Sequence, residues 1–106
     1  MTVKGNPHPY AASTEEQLLL IGQEAVSNAV LHGQARRVAV ELDYGNEQMS
    51  LRVADDGCGF DPEAALKASG HYGLVSMRER AEQVRGRITI ASAPGRGTEI
   101  ETVFPA

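Results

Sequence analysis

Residues 13–32, STEEQLLLIGQEAVSNAVLH, form the stretch on which the fold of this 106-residue chain depends. Ser13 followed by Glu16 is a capping-box pattern, in which each side chain bonds a backbone amide at the start of a helix. The apolar period that follows predicts one helix over residues 14–32. Its apolar residues share one broad face, which should pack on a sheet. That face consists of Leu18, Leu19, Gly22, Ala25, Val26, Ala29 and Val30.

Three polar side chains, Glu24, Asn28 and His32, follow one edge of this helix at intervals of four residues. Such a line is ordinarily a solvated edge. Asn is nevertheless unfavourable in the interior of a helix, so its presence there indicates that its side-chain amide binds something. An amide oxygen is a suitable ligand for Mg²⁺. Glu24, one turn earlier, could orient or deprotonate a nucleophile beside a γ-phosphate. Zinc is not indicated, because the histidines and the cysteine show no zinc-ligand spacing.

The rest of the chain shows mainly the two-residue period of strands. Alternation over 38–42 and again over 49–53 predicts an antiparallel hairpin, and a second hairpin is predicted over 88–104. Between them we predict a short helix over residues 63–68 and a longer one over 74–85, with Gly86 as its stop. These elements predict an α+β fold in which helices cover one face of a mainly antiparallel sheet.

The first twelve residues stand apart from this pattern. They contain two prolines and no helical period, so we expect an irregular lead-in or a short edge strand around residues 2–4. Residues 13–106 then form a single domain, because a chain of this length closes one core.

Glycines cluster where the regular patterns stop. Asp55, Gly57 and Gly59 follow a strand directly, Gly73 opens a helix, and Gly97 with Thr98 opens the last strand. Each glycine alone is explained by a tight turn. Together, their backbone amides could converge on one cleft and hold phosphate without a positively charged protein. The sequence contains neither the P-loop motif nor the dinucleotide-binding glycine motif of a parallel sheet.

Composition and charge narrow the class of protein. Hydrophobic residues make up 42% and charged residues 23%, as in a globular protein, and the net charge of −4 argues against direct nucleic-acid or anionic-lipid binding. We expect a soluble, cytoplasmic domain that makes no membrane contact and is a monomer in isolation. The single cysteine, Cys58, excludes an internal disulfide, and we expect a buried structural thiol in preference to a redox switch.

Four segments, taken in order, resemble the ATP-binding catalytic domain of bacterial sensor histidine kinases. The superfamily of that domain includes type II topoisomerases, heat-shock chaperones and mismatch-repair ATPases. The resemblance covers residues 14–105, and the first and third segments are most similar to the subfamily paired with LuxR-type response regulators. The segments are QEAVSNAVLHGQA (23–35), VADDGCGF (53–60), GHYGLVSMRERA (70–81) and ASAPGRGTEIETVFP (91–105).

The resemblance implies a two-layer α/β sandwich, the Bergerat-type ATP-binding fold, which binds ATP and Mg²⁺. It implies that Asn28 binds Mg²⁺ and that Glu24 polarises the reacting centre. It also implies that His32 is a positioning residue of the catalytic group and not the phosphoacceptor. By the same resemblance, Asp55 accepts a hydrogen bond from the adenine amino group.

The remaining residues implied by the resemblance lie around the nucleotide. Gly57 and Gly59 let the backbone pass close to the base, and Gly97 with Thr98 closes the adenine side. Gly73, followed by Leu74, lies at the lid hinge near the phosphates. The chain departs from the family at Leu31, where a basic residue is common, at Arg85, where the first glycine of a pair is common, and in its short lid.

Kinases of this family phosphorylate a histidine on a separate dimerisation helix. We find no such helix before residue 13, so we expect the phosphoacceptor module elsewhere, with a response regulator as an indirect partner. Two alternatives remain open: an anti-sigma-type serine protein kinase of the same fold, and a non-catalytic nucleotide-binding interaction domain. The GLVSMRERA segment favours the histidine kinase.

Overall fold

A computed structural model describes residues 1–6, 12–45, 47–61, 63 and 73–105. Within these residues, five strands form one sheet in the order β1-β2-β3-β5-β4, in which β1 is parallel to β2 and all other neighbours are antiparallel. Helices α1 and α2 pack against each other and against the sheet. In chain order the elements are β1 (Thr2–Gly5), α1 (Ala12–Leu31), β2 (Val38–Tyr44), β3 (Gln48–Asp55), α2 (Leu74–Gln83), β4 (Arg87–Ser92) and β5 (Thr98–Pro105).

The core lies between the helices and one face of the sheet. Alternate residues of β3 and β5 point inward, as their two-residue period predicts, and the predicted α+β sandwich is confirmed. Thr102, fully buried in this layer, satisfies its hydroxyl by donating to the Arg87 carbonyl oxygen at 2.9 Å. The buried apolar cluster consists of Ile21, Ala25, Leu51, Val53, Leu74, Met77, Ala81, Ile100 and Phe104.

Helix α1 buries a face that overlaps the predicted one but is narrower. Ala25 and Ala29 are buried, and Leu18 and Val26 pack against the core, as predicted. Leu19 and Val30, assigned to the packed face, are 58% and 56% exposed, whereas Ile21 is completely buried. The buried positions 14, 21, 25, 28 and 29 follow a narrow stripe, because the sheet and α2 cover only one side of the helix. Asn28 belongs to this stripe and is not part of a solvated edge.

The structure settles two boundaries that the sequence left open or misplaced. The beginning of the chain contains the edge strand β1, so residues 2–5 are not irregular. Helix α2 ends at Gln83, and the left-handed residue after it is Arg85 (φ 59°) instead of Gly86. A Cβ on Gly86 would lie 2.5 Å from the Phe104 ring, so this glycine is needed for space.

Asp61 shows the geometry expected of an N-cap, because its Oδ1 accepts the Glu63 amide at 3.0 Å. The short helix predicted after it and most of the predicted lid fall outside the described residues. Neither α1 nor α2 has the length and apolar character needed to span a bilayer.

Candidate functional site

One part of the predicted site lies at one end of the sheet, where three strands begin or end side by side. Ser92 at the end of β4 pairs with Thr98 at the start of β5, and Thr98 pairs with Asp55 at the end of β3. These three residues therefore form one row across the sheet. The row exists because β3 and β4 both end where β5 begins, a consequence of antiparallel pairing.

Three loops meet beyond this row, and we call residues 32–37, 56–61 and 93–97 the loop junction. Its backbones are bonded directly: the Cys58 amide donates to the Gly33 oxygen at 2.8 Å, and the Gly95 amide donates to the Cys58 oxygen at 2.6 Å. Gly59 (φ 65°) lies against the Ala93 and Gly97 carbonyl oxygens. A side chain at position 59 would displace them, so the glycine is required by contact within the protein itself.

The other two predicted glycines of the junction are also packed against backbone. Gly97 (φ 72°) lies against the Asp55 carbonyl group, and Gly57 lies against the Gly33 carbonyl oxygen. The Gly57 amide donates to Asp55 Oδ1 at 2.8 Å, which orients that carboxylate. The second carboxylate oxygen of Asp55 has no hydrogen-bond partner among the described residues.

Asp56 connects two loops of the junction by hydrogen bonds to Arg36 and Arg37. Its Oδ1 accepts the backbone amides of Arg36 and Arg37 at 2.8 and 2.9 Å, and its own amide donates to the Arg37 oxygen at 3.3 Å. The hydrogen bond from the Arg37 amide is the largest cause that holds the pKa of Asp56 below its ordinary value.

Cys58 does not have the environment that the sequence suggested. The thiol is exposed, and its Sγ lies 3.4 Å from the His32 carbonyl oxygen. The prediction of a buried structural thiol is therefore wrong. The neighbouring backbone explains why: the amide and carbonyl of Cys58 are both bonded inward, which turns the side chain outward.

A narrow pocket opens between the loop junction and α1. Five predicted residues line it: Asn28, His32, Asp55, Gly59 and Thr98. Its enclosed volume is about 10 Å³, roughly the space of one water molecule. Asn28, which is 8% exposed, lines the pocket from the buried stripe of α1, while His32 is exposed. We call this the junction pocket.

Glu24, Gly73 and Leu74 form a second group, at the start of α2. The Glu24 carboxylate lies against Gly73, the left-handed N-cap residue (φ 61°) of α2. Leu74 is 1% exposed and its side chain belongs to the core, so only its backbone amide can face a ligand. Asn28 lies one helical turn from Glu24 and so connects the two groups.

Two residues of the junction were missed by sequence reasoning. Ser92 was not singled out, although it is a polar residue in register with the inward-facing Ile88 and Ile90 of β4. Asp56 was overlooked beside Asp55, although a doublet of acidic residues at a strand end is itself a loop signal. The alternation of β4 could have identified Ser92, since a hydroxyl on a buried face needs a partner.

Comparison with known proteins is consistent with this geometry. Residues 13–106 match the family described as histidine kinase-, DNA gyrase B-, and HSP90-like ATPase. The chain is 44% identical over 91 residues to the sensor histidine kinase LiaS of Bacillus subtilis, covering 86% of this chain and 25% of LiaS. It is 42% identical over 87 residues to the nitrate/nitrite sensor protein NarX of Escherichia coli, covering 82% of this chain and 14% of NarX. The chain thus spans a quarter or less of these two relatives.

Solved structures share the fold at lower identity. The histidine kinase domain of the blue-light activated histidine kinase from Erythrobacter litoralis EL346 superimposes with a TM-score of 0.75 at 22% identity, covering 98% of this chain and 53% of that one. The ATP binding domain of PrrB from Mycobacterium tuberculosis gives 0.70 at 20% identity, covering 86% and 68%.

The chain belongs to the family of histidine kinase-, DNA gyrase B-, and HSP90-like ATPases. Within that family the predicted class is confirmed: this is an ATP-binding domain of the sensor histidine kinase type.

Proposed function

We propose that this domain binds ATP with its base against the Asp55–Thr98 wall of the junction pocket and Mg²⁺ at Asn28, and that it passes the γ-phosphoryl group to a histidine of a separate dimerisation module. The junction pocket, which has room for about one water molecule in this structure, widens to admit the base. The observation that carries the proposal is the Asp55–Thr98 pair on the pocket wall, with the buried Asn28 amide beside it. Acceptor oxygens suit the amino group of adenine, and the amide oxygen suits a hard cation.

The residues present fit a magnesium ion that is shared with phosphate. The described residues contain no group of three or more His, Cys, Asp or Glu side chains that could hold a metal unaided. Mg²⁺ usually takes only one or two protein ligands and completes its shell with phosphate and water oxygens. Asn28 provides one such oxygen, and Glu24 lies one turn away. When bound, the ion would supply charge neutralisation at the phosphates.

The proposed roles divide between the two ends of the site. Asp55 orients the base, and the close-packed glycines of the loop junction hold the backbone around Asp55 in place. The backbone amides of Gly73 and Leu74 face the phosphates at the positive end of α2, and His32 helps to position them. Glu24 orients and polarises the attacking imidazole. Positioning and charge neutralisation then lower the barrier, as in phosphoryl transfer generally.

A transfer assay tests the whole proposal. The chain is incubated with γ-labelled ATP and Mg²⁺ alone, with its parent's histidine-bearing module added in trans, and fused to that module. We expect weak labelling in trans and much faster labelling of the fused module, because tethering raises the effective concentration. Acid-labile label on the domain alone contradicts the proposal, and label on a serine of a partner favours the anti-sigma-type kinase.

The role of Asn28 is tested separately by calorimetry. Asn28→Ala should weaken Mg²⁺-dependent ATP binding much more than metal-free binding of ADP or adenosine. Ser27→Ala, the adjacent position on α1, is the control. Equal losses with and without Mg²⁺ would show that Asn28 supports the fold and does not hold the ion.

One observation favours binding without turnover as a second candidate function. Leu31 is 71% exposed next to His32, so an apolar side chain stands where the family often has a basic residue. If ATP binds but the fused module stays unlabelled, Leu31→Lys decides between a weakened kinase, which regains transfer, and a binding domain, which does not.

A further inference from the structure

The hydroxyl of Ser92 has three hydrogen-bond partners. It accepts the Phe60 amide at 2.9 Å, donates to the Gly97 carbonyl oxygen at 3.0 Å and lies 2.8 Å from Thr98 Oγ1. These partners belong to two loops of the junction and to the first residue of β5. Ser92 is therefore the point at which both loops and the β4–β5 hairpin are joined.

Only one arrangement of protons satisfies all three contacts. A serine hydroxyl has one proton, an amide only donates and a carbonyl oxygen only accepts. The Ser92 proton is therefore committed to Gly97, and the bond between the two hydroxyls must use the proton of Thr98. Thr98, which lines the junction pocket, then has no hydroxyl proton left for a ligand and can offer it only an acceptor.

Asp55, the neighbour of Thr98 in the same row, also presents only acceptors when its carboxyl group is ionised. Its Oδ1 already accepts the Gly57 amide, which leaves the other oxygen for the pocket. The wall formed by Asp55 and Thr98 therefore favours a ligand that presents hydrogen-bond donors to it. The 6-amino group of adenine has two N–H donors, whereas hypoxanthine offers one N–H, at N1, beside an acceptor oxygen.

We propose that Ser92 is a positioning residue for base selectivity: by holding the Thr98 proton away from the pocket, it prevents Thr98 from turning to donate to a 6-oxo purine. This inference rests on the proposed ATP-binding function and adds a residue to it. Asp55 would disfavour a 6-oxo purine by itself, and Ser92 would extend that discrimination to the second residue of the wall.

The test is the ratio of dissociation constants for ITP and ATP, measured by calorimetry on the same folded protein. In Ser92→Ala the Thr98 hydroxyl is free to rotate and donate, so the ratio should fall about five- to tenfold, the effect of one hydrogen bond gained. Ser92→Thr keeps the hydroxyl and should restore the original ratio. Ser50→Ala, on the opposite face of the sheet, is the matched control and should leave the ratio unchanged.

A second background shows whether Ser92 acts through Thr98. Thr98→Val removes the hydroxyl that Ser92 is proposed to orient, so adding Ser92→Ala to it should leave the ratio unchanged. An unchanged ratio in Ser92→Ala alone, or the same fall with Val at position 98, would overturn the inference. If Ser92→Ala does not fold, Ser92→Cys provides a weak donor of similar size, and its ratio should fall at least about twofold.

Failure of the proposed function gives a different result. If the wild-type domain binds neither ATP nor ITP, the assignment of the junction pocket to a purine is wrong, and the selectivity role of Ser92 is overturned together with it. If ATP binds and only the ratios fail to move, the proposed function stands and the role of Ser92 is wrong.

Discussion

The loop junction and helix α2 are held in place by different forces. The junction is tied by directional bonds between backbone groups and by the Ser92 hydroxyl. Helix α2 is held mainly by Leu74, Met77 and Ala81, each exposed by 1% or less. The two ends of this helix are less favourable than its centre, because the N-cap residue makes no side-chain hydrogen bond and Arg85 occupies a left-handed conformation.

This difference corresponds to the two tasks of the proposed site. Hydrogen bonds lose strength quickly with angle and distance, so they fix a junction that must distinguish one base from another. Apolar contact is non-directional, and it can hold α2 against the sheet while its first turn adjusts to phosphate. Substitutions in the loop junction should therefore have larger effects on stability and binding than substitutions at helix α2.

The largest effect is expected from Gly59→Ala in the loop junction. The added Cβ would require a positive φ and would collide with the Ala93 and Gly97 carbonyl groups, which are themselves fixed. We expect a loss of at least about 3 kcal/mol in the free energy of unfolding, measured with denaturant. Gly95→Ala is the control: its φ is 80°, but no atom of the described residues lies within 4 Å of the place that a Cβ would take, so strain alone should cost about 1–2 kcal/mol. Equal losses would mean that the junction relaxes easily.

Asp55→Ala should have the next largest effect, on binding. A hydrogen bond to a charged group contributes about 1.5–3 kcal/mol, so ATP affinity should fall roughly 10- to 100-fold. Asp43→Ala, on the outer face of β2, controls for the change of charge. Titration calorimetry measures both, and unchanged affinity in Asp55→Ala would remove this residue from the site.

Gly73→Ala probes the α2 side of the comparison. The backbone strain matches that of Gly59→Ala, but the added Cβ meets the end of the Glu24 side chain, which can move away. The loss of stability should therefore be about 1–2 kcal/mol, clearly smaller than at Gly59. In a Glu24→Ala background the loss should be at the lower end of this range. A loss as large as that of Gly59→Ala would show that the start of α2 is as rigid as the junction.

Sequence reasoning succeeded where one local period decides the structure. The two-residue period that repeats at Leu51 and Val53, and again at Ile100 and Thr102, predicted both hairpins. The ends of these strands then bring Asp55 and Thr98 together. Sequence reasoning failed where a residue from a distant part of the chain determines the environment of a side chain. The alternation of β4 can place Ser92 on the inner face, but its proposed role depends on hydrogen bonds to Phe60, Gly97 and Thr98 that no local pattern contains.

Gly86 shows the same limit. Its position after a helix predicted a left-handed stop, yet Phe104 from β5 requires the absence of a side chain there, and Arg85 takes the positive φ. The predicted face of α1 was too broad for a similar reason, because helix α2 and the sheet, not the number of apolar residues, decide how much of the helix is buried.

Arg85→Gly should stabilise the end of helix α2, which is the less favourable of the two regions. Gly86 and Arg85 donate to the carbonyl oxygens of Ala81 and Glu82 at the end of α2, and this closure requires φ 59° at Arg85. Glycine adopts that conformation without the side-chain penalty but loses more entropy on folding, so the net gain should be about 0.5–1 kcal/mol. Thermal unfolding should shift upward by a few degrees. Arg87→Gly, in a strand, should destabilise instead, and a loss in Arg85→Gly would mean that the arginine side chain is stabilising.

The smallest effect concerns the charge of Asp56 at the loop junction. Its pKa in the folded chain lies below the ordinary value of 3.8, chiefly because the Arg37 amide donates to it. Its contribution to stability is therefore fully present above about pH 4 and is lost as the pH falls through the lowered pKa. Asp56→Asn keeps an acceptor for the amides of Arg36 and Arg37 but carries no charge and cannot titrate. It should therefore be slightly less stable than wild type at pH 7, approach wild type at the lowest pH, and show a flatter acid limb. Denaturant unfolding at several pH values between 2 and 7 measures this, with Asp43→Asn as the control. If the acid limbs of Asp56→Asn and wild type coincide, the charge of Asp56 does not help to hold the junction, and its hydrogen bonds act as those of a neutral group would.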